Sequence, residues 1–433
     1  MMSTRGRIIS TMLVSAVLMM GFSLGAVAQK KVVIWHFGGL PAEHKWVDEC
    51  IKDFNAAHPE MKVERIEKSW MTKSEELISA WQVKAMPDII SRDSVSIPDM
   101  VEMGMLAPLN ELFAEDIAAM KGRWLEPAWN LCNYEGAQYG VPTYVDIAPM
   151  LAYNRNMFAE AGILVPTNWS QVVEAAKKLY TPEHYGIILP ATLGLNDLQV
   201  FIGIAYGNGG RFLSPEGDKV VFNGKGFVDA LQLYVDLFRK HKVTPPGTLE
   251  IDYMKTIELF LRERTAMAVG MSWFPIVVQN LGVPEGFDYR MASFPVKEKI
   301  TGKYPSAAAI MDATTTYMMI STSKVKKEAW EFMKWVTRPE TMRMWAGVRI
   351  EGRVPTTHEG FKTPEIAKTY PDLVREYEKG TVFKGAISMP SFPGFTEMTK
   401  VFGLSLQGAL LGEPVQEALD ERAEECQDIL EEM

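Results

Sequence analysis

The sequence predicts an α/β protein built as two lobes, and three observations support this. The chain has 433 residues, which is too long for one small core and suits two lobes of about 150 to 200 residues each. Short apolar runs rich in β-branched and aromatic residues alternate with amphipathic helical runs, as in mostly parallel sheets flanked by helices. Between Pro142 and Pro149 the chain is predicted to be extended, because proline disfavours the helical conformation in the residue before it. Such a segment suits a hinge between the lobes.

Residues 1–28 are predicted to be a secretory signal peptide. Two arginines precede an apolar run that ends in Ala26-Val27-Ala28, and this order is typical of a cleavage site before Gln29. No cysteine sits at the cleavage point, so we expect a free protein rather than a lipid-anchored one. An uncleaved membrane anchor is the alternative, but small and polar residues dilute the apolar run and favour removal.

The mature chain is acidic. The net charge is −9 for the full sequence, and removal of the two arginines of the signal peptide lowers it to −11. An acidic surface argues against nucleic acid and anionic membranes as partners. It does not exclude an anionic small ligand, because local arginines can accommodate one.

The three cysteines, Cys50, Cys132 and Cys426, are odd in number and far apart in the sequence. At most one disulfide can form, and the spacing matches no metal site, so we expect neither a metal nor a cofactor. Cys50 and Cys426 fall on the apolar faces of predicted helices, which indicates buried free thiols.

The first lobe is predicted from alternating strands and helices at the start of the mature chain. Lys31–Phe37 has the pattern of a buried strand, and a helix with one apolar face follows over residues 46–54. A strand over Met61–Ile66 completes a unit whose crossover is expected to be right-handed. After another helix, a third strand brings Arg92 and Asp93 to its carboxyl end.

The stretch Glu135–Gly162 is predicted to join the lobes. It contains two short strands, Gln138–Val141 and Met150–Tyr153, with an extended crossing between them that carries Tyr144 and Asp146. A polar crossing with an aromatic side chain in the middle of a long chain indicates a wall shared by two lobes. The alternative is an ordinary strand and loop inside one α/β domain.

The second lobe is predicted from the residues that follow. Asn168 can cap a helix with a long apolar stripe. Tyr185–Leu189 has the pattern of a strand and leads into a loop of small and polar residues that ends at Asp197. A long helix over Lys225–Lys240 and a strand over Thr265–Val269 complete this lobe.

Two further crossings between the lobes are predicted, in Tyr304–Asp312 and in Arg349–Pro355. Together with the first crossing they make both lobes discontinuous in sequence. The first lobe is expected to comprise residues 29–143 and 309–352, and the second lobe residues 144–308 and 353–433.

Short motifs spread from residue 32 to residue 430 occur in a recognisable order. The most specific is Tyr139-Gly140-Val141-Pro142 followed by Tyr153-Asn154, and weaker ones include Pro87-Asp88-Ile89-Ile90 and Arg264-Thr265-Ala266-Met267. The ordered set resembles the sugar-binding, maltose-binding-protein-like group of extracellular solute-binding proteins, family 1, which serve ABC importers. The resemblance covers nearly the whole mature chain.

The resemblance implies a type II periplasmic-binding-protein fold with a ligand cleft between the lobes. It also implies a periplasmic protein, monomeric and without enzymatic activity, that closes on a carbohydrate by hinge rotation and delivers it to the transmembrane subunits of an ABC permease. One departure concerns residues 307–314, where the family often has glycines and this chain has Ala-Ala-Ala-Ile-Met-Asp-Ala-Thr. Ligand contacts over Ala309–Thr314 therefore do not follow from the resemblance.

Candidate ligand-binding residues are taken from the strand ends and the crossings. In open α/β sheets the ligand lies at the carboxyl ends of the strands, and two lobes that face each other with these ends form a cleft. The candidates are Trp35, His36, Phe37, Trp70, Arg92, Asp93, Tyr144, Asp146, Asn196, Asp197, Trp273, Phe274, Asp312, Arg349 and Arg353.

These residue types suit a sugar. A sugar has an apolar face and a rim of hydroxyls, so its site needs flat aromatic rings together with carboxylates, amides or guanidinium groups. Trp35 and His36 can equally be core residues, and Arg92 and Arg353 can equally form surface or interlobe ion pairs.

Two alternatives remain open at this point. A glycoside hydrolase would need two carboxyl groups about 5 to 9.5 Å apart, and no motif selects such a pair among Asp93, Asp146 and Asp312. The same fold could instead bind a polyamine, thiamine or another non-sugar solute, because aromatic rings with several acids suit a cationic amine.

Overall fold

The computed structural model describes residues 29–38, 41–70, 72–307, 309–344, 354–380 and 385–432. The predicted signal peptide, residues 1–28, lies outside these ranges, as do Arg349 and Arg353. Within the ranges, no helix is long and apolar enough to cross a membrane.

The strands of this part of the chain belong to three sheets. In chain order they are β1 Lys30–Phe37, β2 Met61–Lys68, β3 Ile89–Arg92, β4 Asn133–Tyr134, β5 Ala137–Gln138, β6 Gly140–Ala148, β7 Met150–Asn154, β8 Tyr185–Ile188, β9 Thr265–Gly270, β10 Tyr289–Ser293, β11 Ala309–Met319, β12 Val354–Pro355 and β13 Ala386–Ser388.

The α-helices flank the two larger sheets or connect their strands. In chain order they are α1 Pro41–Ala57, α2 Lys73–Gln82, α3 Ile97–Glu102, α4 Leu109–Leu112, α5 Ala114–Lys121, α6 Glu126–Asn130, α7 Arg155–Ala161, α8 Trp169–Leu179, α9 Leu195–Gly207, α10 Lys225–Val235, α11 Tyr253–Leu261, α12 Phe274–Leu281, α13 Lys326–Val336, α14 Pro339–Met344, α15 His358–Phe361, α16 Pro364–Thr369, α17 Pro371–Glu378, α18 Phe395–Leu411 and α19 Val415–Glu431.

The larger sheet has the strand order β12-β6-β11-β3-β1-β2, and β13 pairs with β11. We call the part of the molecule built on it the first lobe. Strand β1 is parallel to β2 and β3, whereas β11 is antiparallel to both β3 and β6. The sheet is therefore mixed rather than mostly parallel, because the chain leaves it along β6 and returns along β11 in the opposite direction.

The smaller sheet has the order β10-β7-β9-β8, and we call the part built on it the second lobe. Strands β8 and β9 are parallel, while β7 is antiparallel to β9 and to β10. This sheet is also mixed. Helix α8 packs on β8 and β9 with a strongly apolar face, and Asn168 caps it by accepting a hydrogen bond from the Gln171 backbone N–H, as predicted.

The first crossing between the lobes is short. The predicted extended conformation between Pro142 and Pro149 is confirmed, but residues 140–148 form β6, a buried strand inside the larger sheet rather than a free tether. The chain passes to the second lobe at Pro149, and β7 begins at Met150. The apolar core continues across this point, since Ala148 and Leu151 belong to one buried cluster.

The C-terminal part of the chain returns to both lobes. From the sequence, everything after residue 352 was expected in the second lobe, but β12 pairs with β6 and β13 pairs with β11 in the larger sheet. Helices α18 and α19 then pack on α9 and α10 of the second lobe. The prediction differs from the structure because the backbones of β12 and β13 form their hydrogen bonds with strands of the first lobe.

The three cysteines are free and buried, which confirms the prediction for Cys50 and Cys426.

The predicted long helix over Lys225–Lys240 is present, but its last part, Asp236–Lys240, is a π-helical turn. Such turns widen a helix locally and often occur at functional sites.

Candidate functional site between the lobes

Three carboxyl groups meet at one end of the larger sheet. Asp93 directly follows β3, while Asp146 on β6 and Asp312 on β11 lie opposite each other in the antiparallel register. All three are buried, with 2%, 3% and 4% of their surface exposed. The sequence predicted each of these three acids as a separate ligand-binding candidate, and no motif grouped them.

Two cations and a hydroxyl group lie beside these acids. Lys73, at the start of α2, forms an ion pair with Asp93, and the Arg92 Nε lies 3.7 Å from the Asp93 carboxylate. The Ser94 hydroxyl donates a hydrogen bond of 2.8 Å to Asp312. Lys73 and Ser94 were not predicted from the sequence, because neither belongs to a motif and only the fold brings them to the strand ends.

The two ends of this cluster differ in protonation. Burial raises the pKa of Asp93, but Lys73 and Arg92 outweigh burial and lower that pKa to about 2. Burial raises the pKa of Asp312 to about 7, and the negative charges of Asp93 and Asp146 act in the same direction. Asp93 is therefore ionised at neutral pH, while Asp312 is protonated in a substantial fraction of molecules and can then donate a hydrogen bond.

The second lobe contacts the cluster directly. Asp146 and Asp312 face Gln199 of α9 and Met271, which follows β9, across a gap too narrow for a water molecule. The lobes are thus closed on each other at this point. A ligand can reach these carboxyl groups only when the lobes separate.

A pocket of about 230 Å³ adjoins this contact. It shares Met311 with the closed gap, and its other lining side chains include two amides, hydroxyl groups and one aromatic ring. The polar members are Ser94, Asn130, Asn133, Tyr134, Ser388 and Ser391. Most of these lie in loops or on short strands without a strong pattern, so sequence reasoning missed them.

Trp273 lies at the junction of the lobes. It is half-buried just beyond β9, and its ring centroid is 4.6 Å from that of Tyr253. The preceding Ser272 exchanges hydrogen bonds of 2.9 and 3.0 Å with the backbone of Ile147 on β6. The hydroxyl group of Tyr370 also donates to the Ser272 carbonyl. Both lobes thereby fix the position of Trp273.

Asn196 and Asp197 lie in the first turn of α9. Asn196 is half-buried. Asp197 is 1% exposed and accepts hydrogen bonds from the Thr192 backbone N–H at 3.0 Å and from its hydroxyl at 2.5 Å. Burial raises the pKa of Asp197 to about 6. The contacts of Asp197 hold the loop before α9 in place.

Phe37 and Phe274 pack the interiors of the two lobes. They are 1% and 0% exposed, and each belongs to a cluster of buried apolar side chains. Side chains alternate between the two faces of β1, and Phe37 lies on a buried face. Phe274 is turned inward at the start of α12, so neither ring faces the cleft. Their inclusion among the ligand-binding candidates is corrected accordingly.

His36 and Tyr144 also make their contacts inside the first lobe. His36 is 1% exposed, neither ring nitrogen has a hydrogen-bond partner among the residues that the structure describes, and burial lowers its pKa to about 4. The Tyr144 hydroxyl donates to Glu43 at 2.9 Å and accepts from Thr315 at 2.6 Å. Both side chains lie on the helix-covered side of the sheet, which corrects their assignment to the ligand site.

Trp35 and Trp70 are partly buried at the edge of the apolar cluster that contains Phe37. The Lys68 ammonium lies 4.1 Å from the Trp35 ring centroid, and the Lys73 ammonium lies 3.6 Å from that of Trp70. Trp70 is therefore linked to the acid cluster through Lys73.

Across the described ranges, no three histidine, cysteine or acidic side chains are grouped so that they could hold a metal ion.

Comparison with known sequences gives relatives with low identity and broad coverage. An uncharacterized lipoprotein of Streptomyces antibioticus is 26% identical over 377 residues, which are 84% of this chain and 79% of the relative. The diacetylchitobiose-binding protein DasA of Streptomyces coelicolor is 23% identical over 284 residues, and the match spans 64% of each chain.

Solved structures show the same fold. An ABC transporter solute-binding protein of Thermotoga lettingae bound to α-D-tagatose superposes with a TM-score of 0.77 at 24% identity, covering 93% of this chain and 100% of that one. Maltose-bound MalE3 of T. maritima gives 0.77 at 22% identity, covering 92% and 99%. The two-lobed α/β architecture is thus the type II periplasmic-binding-protein fold.

A profile of one protein family covers most of the folded chain. It matches residues 40–343, which include the whole smaller sheet, strands β2, β3, β6 and β11 of the larger sheet, and the first two crossings between the lobes. The resemblance that the sequence motifs indicated is therefore confirmed. The chain belongs to the bacterial extracellular solute-binding proteins.

Proposed function

We propose that this protein is the substrate-binding component of an ABC importer and binds a carbohydrate between its two lobes. The observation that carries the proposal is the meeting of polar side chains from both lobes. Asp146 and Asp312 of the first lobe face Gln199 of the second, next to a pocket lined by amides and hydroxyl groups. Contacts from both lobes are what a ligand needs in order to favour the closed form.

The chemistry of the site suits sugar hydroxyl groups. Carboxylates accept hydrogen bonds, amides both donate and accept, and Asp312 can do either according to its protonation. Trp273 offers a flat ring at the same junction. Relatives with this fold include proteins that bind diacetylchitobiose, tagatose and maltose, which supports a carbohydrate as the ligand class.

A binding role without catalysis is proposed, although two carboxyl groups are close together. Asp146 and Asp312 lie on adjacent strands, and a hydrolase would need such a pair within about 5 to 9.5 Å. Family membership favours binding over hydrolysis. Product formation is therefore the measurement that separates the two functions.

A non-sugar ligand is the second candidate, and the charge of the site favours it. Three buried acids face two cations, so an amine-bearing solute such as a polyamine or thiamine would find compensating charge there.

We further propose a monomer that is exported to the periplasm and delivers its ligand to the transmembrane subunits of a permease.

A thermal-shift screen of residues 29–433 tests the ligand class. The panel contains mono-, di- and oligosaccharides, acidic sugars, polyamines and thiamine. A ligand at 100 times its dissociation constant stabilises the folded state by roughly 2.7 kcal/mol, which raises the melting temperature measurably.

Each outcome of the screen decides one part of the proposal. A sugar that raises the melting temperature and is recovered unchanged after overnight incubation supports carbohydrate binding. A response to polyamines or thiamine alone contradicts the carbohydrate class but keeps the binding role. Conversion of the sugar to products contradicts the binding role itself.

A further inference from the structure

The outer surface of the second lobe carries a pocket of about 510 Å³ that is separate from the cleft. Its lining includes Tyr180, Tyr185, Phe238, Arg239, Lys242 and Thr244. Tyr185 opens β8, whereas the carboxyl end of β8 leads to the loop before α9 at the interlobe contact. The pocket therefore lies at the opposite end of the smaller sheet from the proposed carbohydrate site.

One wall of the pocket is aromatic. Tyr180 is 46% exposed, and its ring centroid lies 6.0 Å from that of Tyr185, with a tilt of 44° between the rings. Phe238 is partly buried against the core beside them. An exposed tyrosine and a half-buried tyrosine, with a partly buried phenylalanine, offer an apolar surface for a ring.

The other wall is cationic. Arg239 and Lys242 belong to the run Arg239-Lys240-His241-Lys242 in a chain whose net charge is −9. Neither forms an ion pair with a carboxylate of the described part of the chain, and the Arg239 guanidinium donates only to the Leu410 carbonyl, at 3.2 Å. Two uncompensated cations beside an apolar wall suit an anionic group on the ligand.

Thr244 also lines the pocket, and it is 3% exposed. Its Oγ1 is buried, so the hydroxyl group is not open to the pocket space. The adjoining backbone is also unusual, with a π-helical turn over Asp236–Lys240 and a φ angle of 54° at Lys242.

We propose that this pocket binds a small cyclic carboxylic acid. The carboxylate lies between Arg239 and Lys242, and the ring packs on Tyr180 and Tyr185. A guanidinium group and an ammonium group together provide enough donors for one carboxylate. The proposal is independent of what the cleft binds.

Isothermal titration calorimetry of residues 29–433 with 4-hydroxybenzoate tests the proposal. Its neutral counterpart, 4-hydroxybenzamide, has the same ring without the charge, and inorganic phosphate has charge without a ring. We expect binding of 4-hydroxybenzoate in the millimolar range or tighter, and affinities at least roughly tenfold weaker for the amide and for phosphate.

Single substitutions place the binding on the pocket. Arg239→Gln and Lys242→Gln are each expected to weaken 4-hydroxybenzoate binding at least roughly fivefold. Lys240→Gln is the matched control, because Lys240 lies in the same basic run but does not line the pocket, and it should leave the affinity within about twofold. Unchanged melting curves confirm that the variants are folded.

Several results overturn the proposal. One is the absence of any 4-hydroxybenzoate binding at millimolar concentration. Another is equal loss in Lys240→Gln and Arg239→Gln, which indicates general charge attraction alone. A third is loss of binding in Trp273→Ala with the pocket variants unaffected, which places the molecule in the cleft. None of these results bears on carbohydrate binding, which is measured with sugars.

Discussion

Two aspartates of the interlobe site show how one side chain takes opposite roles. Asp93 has cations on one side and keeps its charge, whereas Asp312 faces Asp93 and Asp146 and favours its proton. Both are buried to a similar degree, so charged neighbours rather than burial decide the difference. These neighbours come from four separate chain segments, and the sequence alone could not arrange them.

Replacing Asp312 by asparagine should stabilise the closed form of the protein above neutral pH. The folded protein holds the Asp312 proton up to about pH 7, whereas an ordinary aspartate releases it near 3.8. The free energy of unfolding of the wild type therefore falls as pH rises through this window. The variant escapes this loss, so its advantage should grow from near zero at pH 4 toward a ceiling of roughly 4 kcal/mol at pH 8.

Urea unfolding across this pH range measures the effect, and Asp93→Asn is a control of opposite sign. The pKa of Asp93 is lowered to about 2, so its charge stabilises the folded state at neutral pH. Its loss leaves Lys73 without its partner and should cost about 3 to 5 kcal/mol. An Asp312→Asn variant less stable than the wild type at pH 8 would contradict this assignment.

The neighbours Trp273 and Phe274 should respond differently to truncation. Trp273→Ala removes a half-buried ring at the junction of the lobes and should weaken sugar binding at least roughly tenfold. Phe274→Ala removes a fully buried ring and should lower the free energy of unfolding by about 3 to 5 kcal/mol. Calorimetry and urea unfolding of both variants test this, and full sugar affinity in Trp273→Ala excludes Trp273 from the site.

Sequence reasoning selected part of the proposed site, and burial explains which part. Asp93, Asp146, Asp312 and Trp273 follow strand ends or lie on a crossing. The fold brings Asp146 and Asp312 to the interlobe contact, Asp93 beside them, and Trp273 to the junction of the lobes. His36 satisfied the same rule, yet its side chain turns to the interior of the first lobe. A strand-end position determines where the backbone is, but not which side of the sheet a side chain occupies.

At the scale of elements, strands β6 and β11 connect the two lobes. They pair along most of their lengths, and each continues at one end into the second lobe. The register of this pair shifts between Asp312 and Thr316. Most strands and helices were predictable from apolar periodicity, but the short strands β12 and β13 were not, since two or three residues carry no period.

The hydroxyl group of Tyr370 is expected to hold the lobes together. Tyr370 packs in the apolar cluster of the first lobe and donates to the carbonyl of Ser272 in the second. Tyr370→Phe removes this bond while keeping the ring, so the closed form should lose about 0.5 to 1.5 kcal/mol. We expect sugar affinity to fall roughly two- to tenfold, with little change in the free energy of unfolding.

A matched variant separates this effect from general loss of a phenol. Tyr377→Phe, in the same segment, removes a hydrogen bond of 3.0 Å to His358 inside the first lobe. Its sugar affinity should equal that of the wild type. If Tyr377→Phe and Tyr370→Phe weaken binding equally, or if neither does, the bond between Tyr370 and Ser272 does not control closure.

At the scale of the whole molecule, the chain crosses between two sheets and closes them on a shared polar contact. The two-lobed α/β class followed from length and from alternating strands and helices, and the order of motifs indicated the family that the profile match confirms. The mixed direction of both sheets was not predictable, because strand direction depends on where the chain crosses rather than on local pattern.

Small-angle X-ray scattering of residues 29–433, with and without the sugar identified by thermal shift, tests most directly whether the lobes close on a carbohydrate. Addition of sugar should lower the radius of gyration, because the second lobe rotates toward the first until Gln199 and the acid cluster contact the same ligand. The scattering of the complex should then approach that of the closed structure described above. Superimposable curves at saturating sugar, or a larger radius of gyration, would contradict closure of the lobes on this ligand.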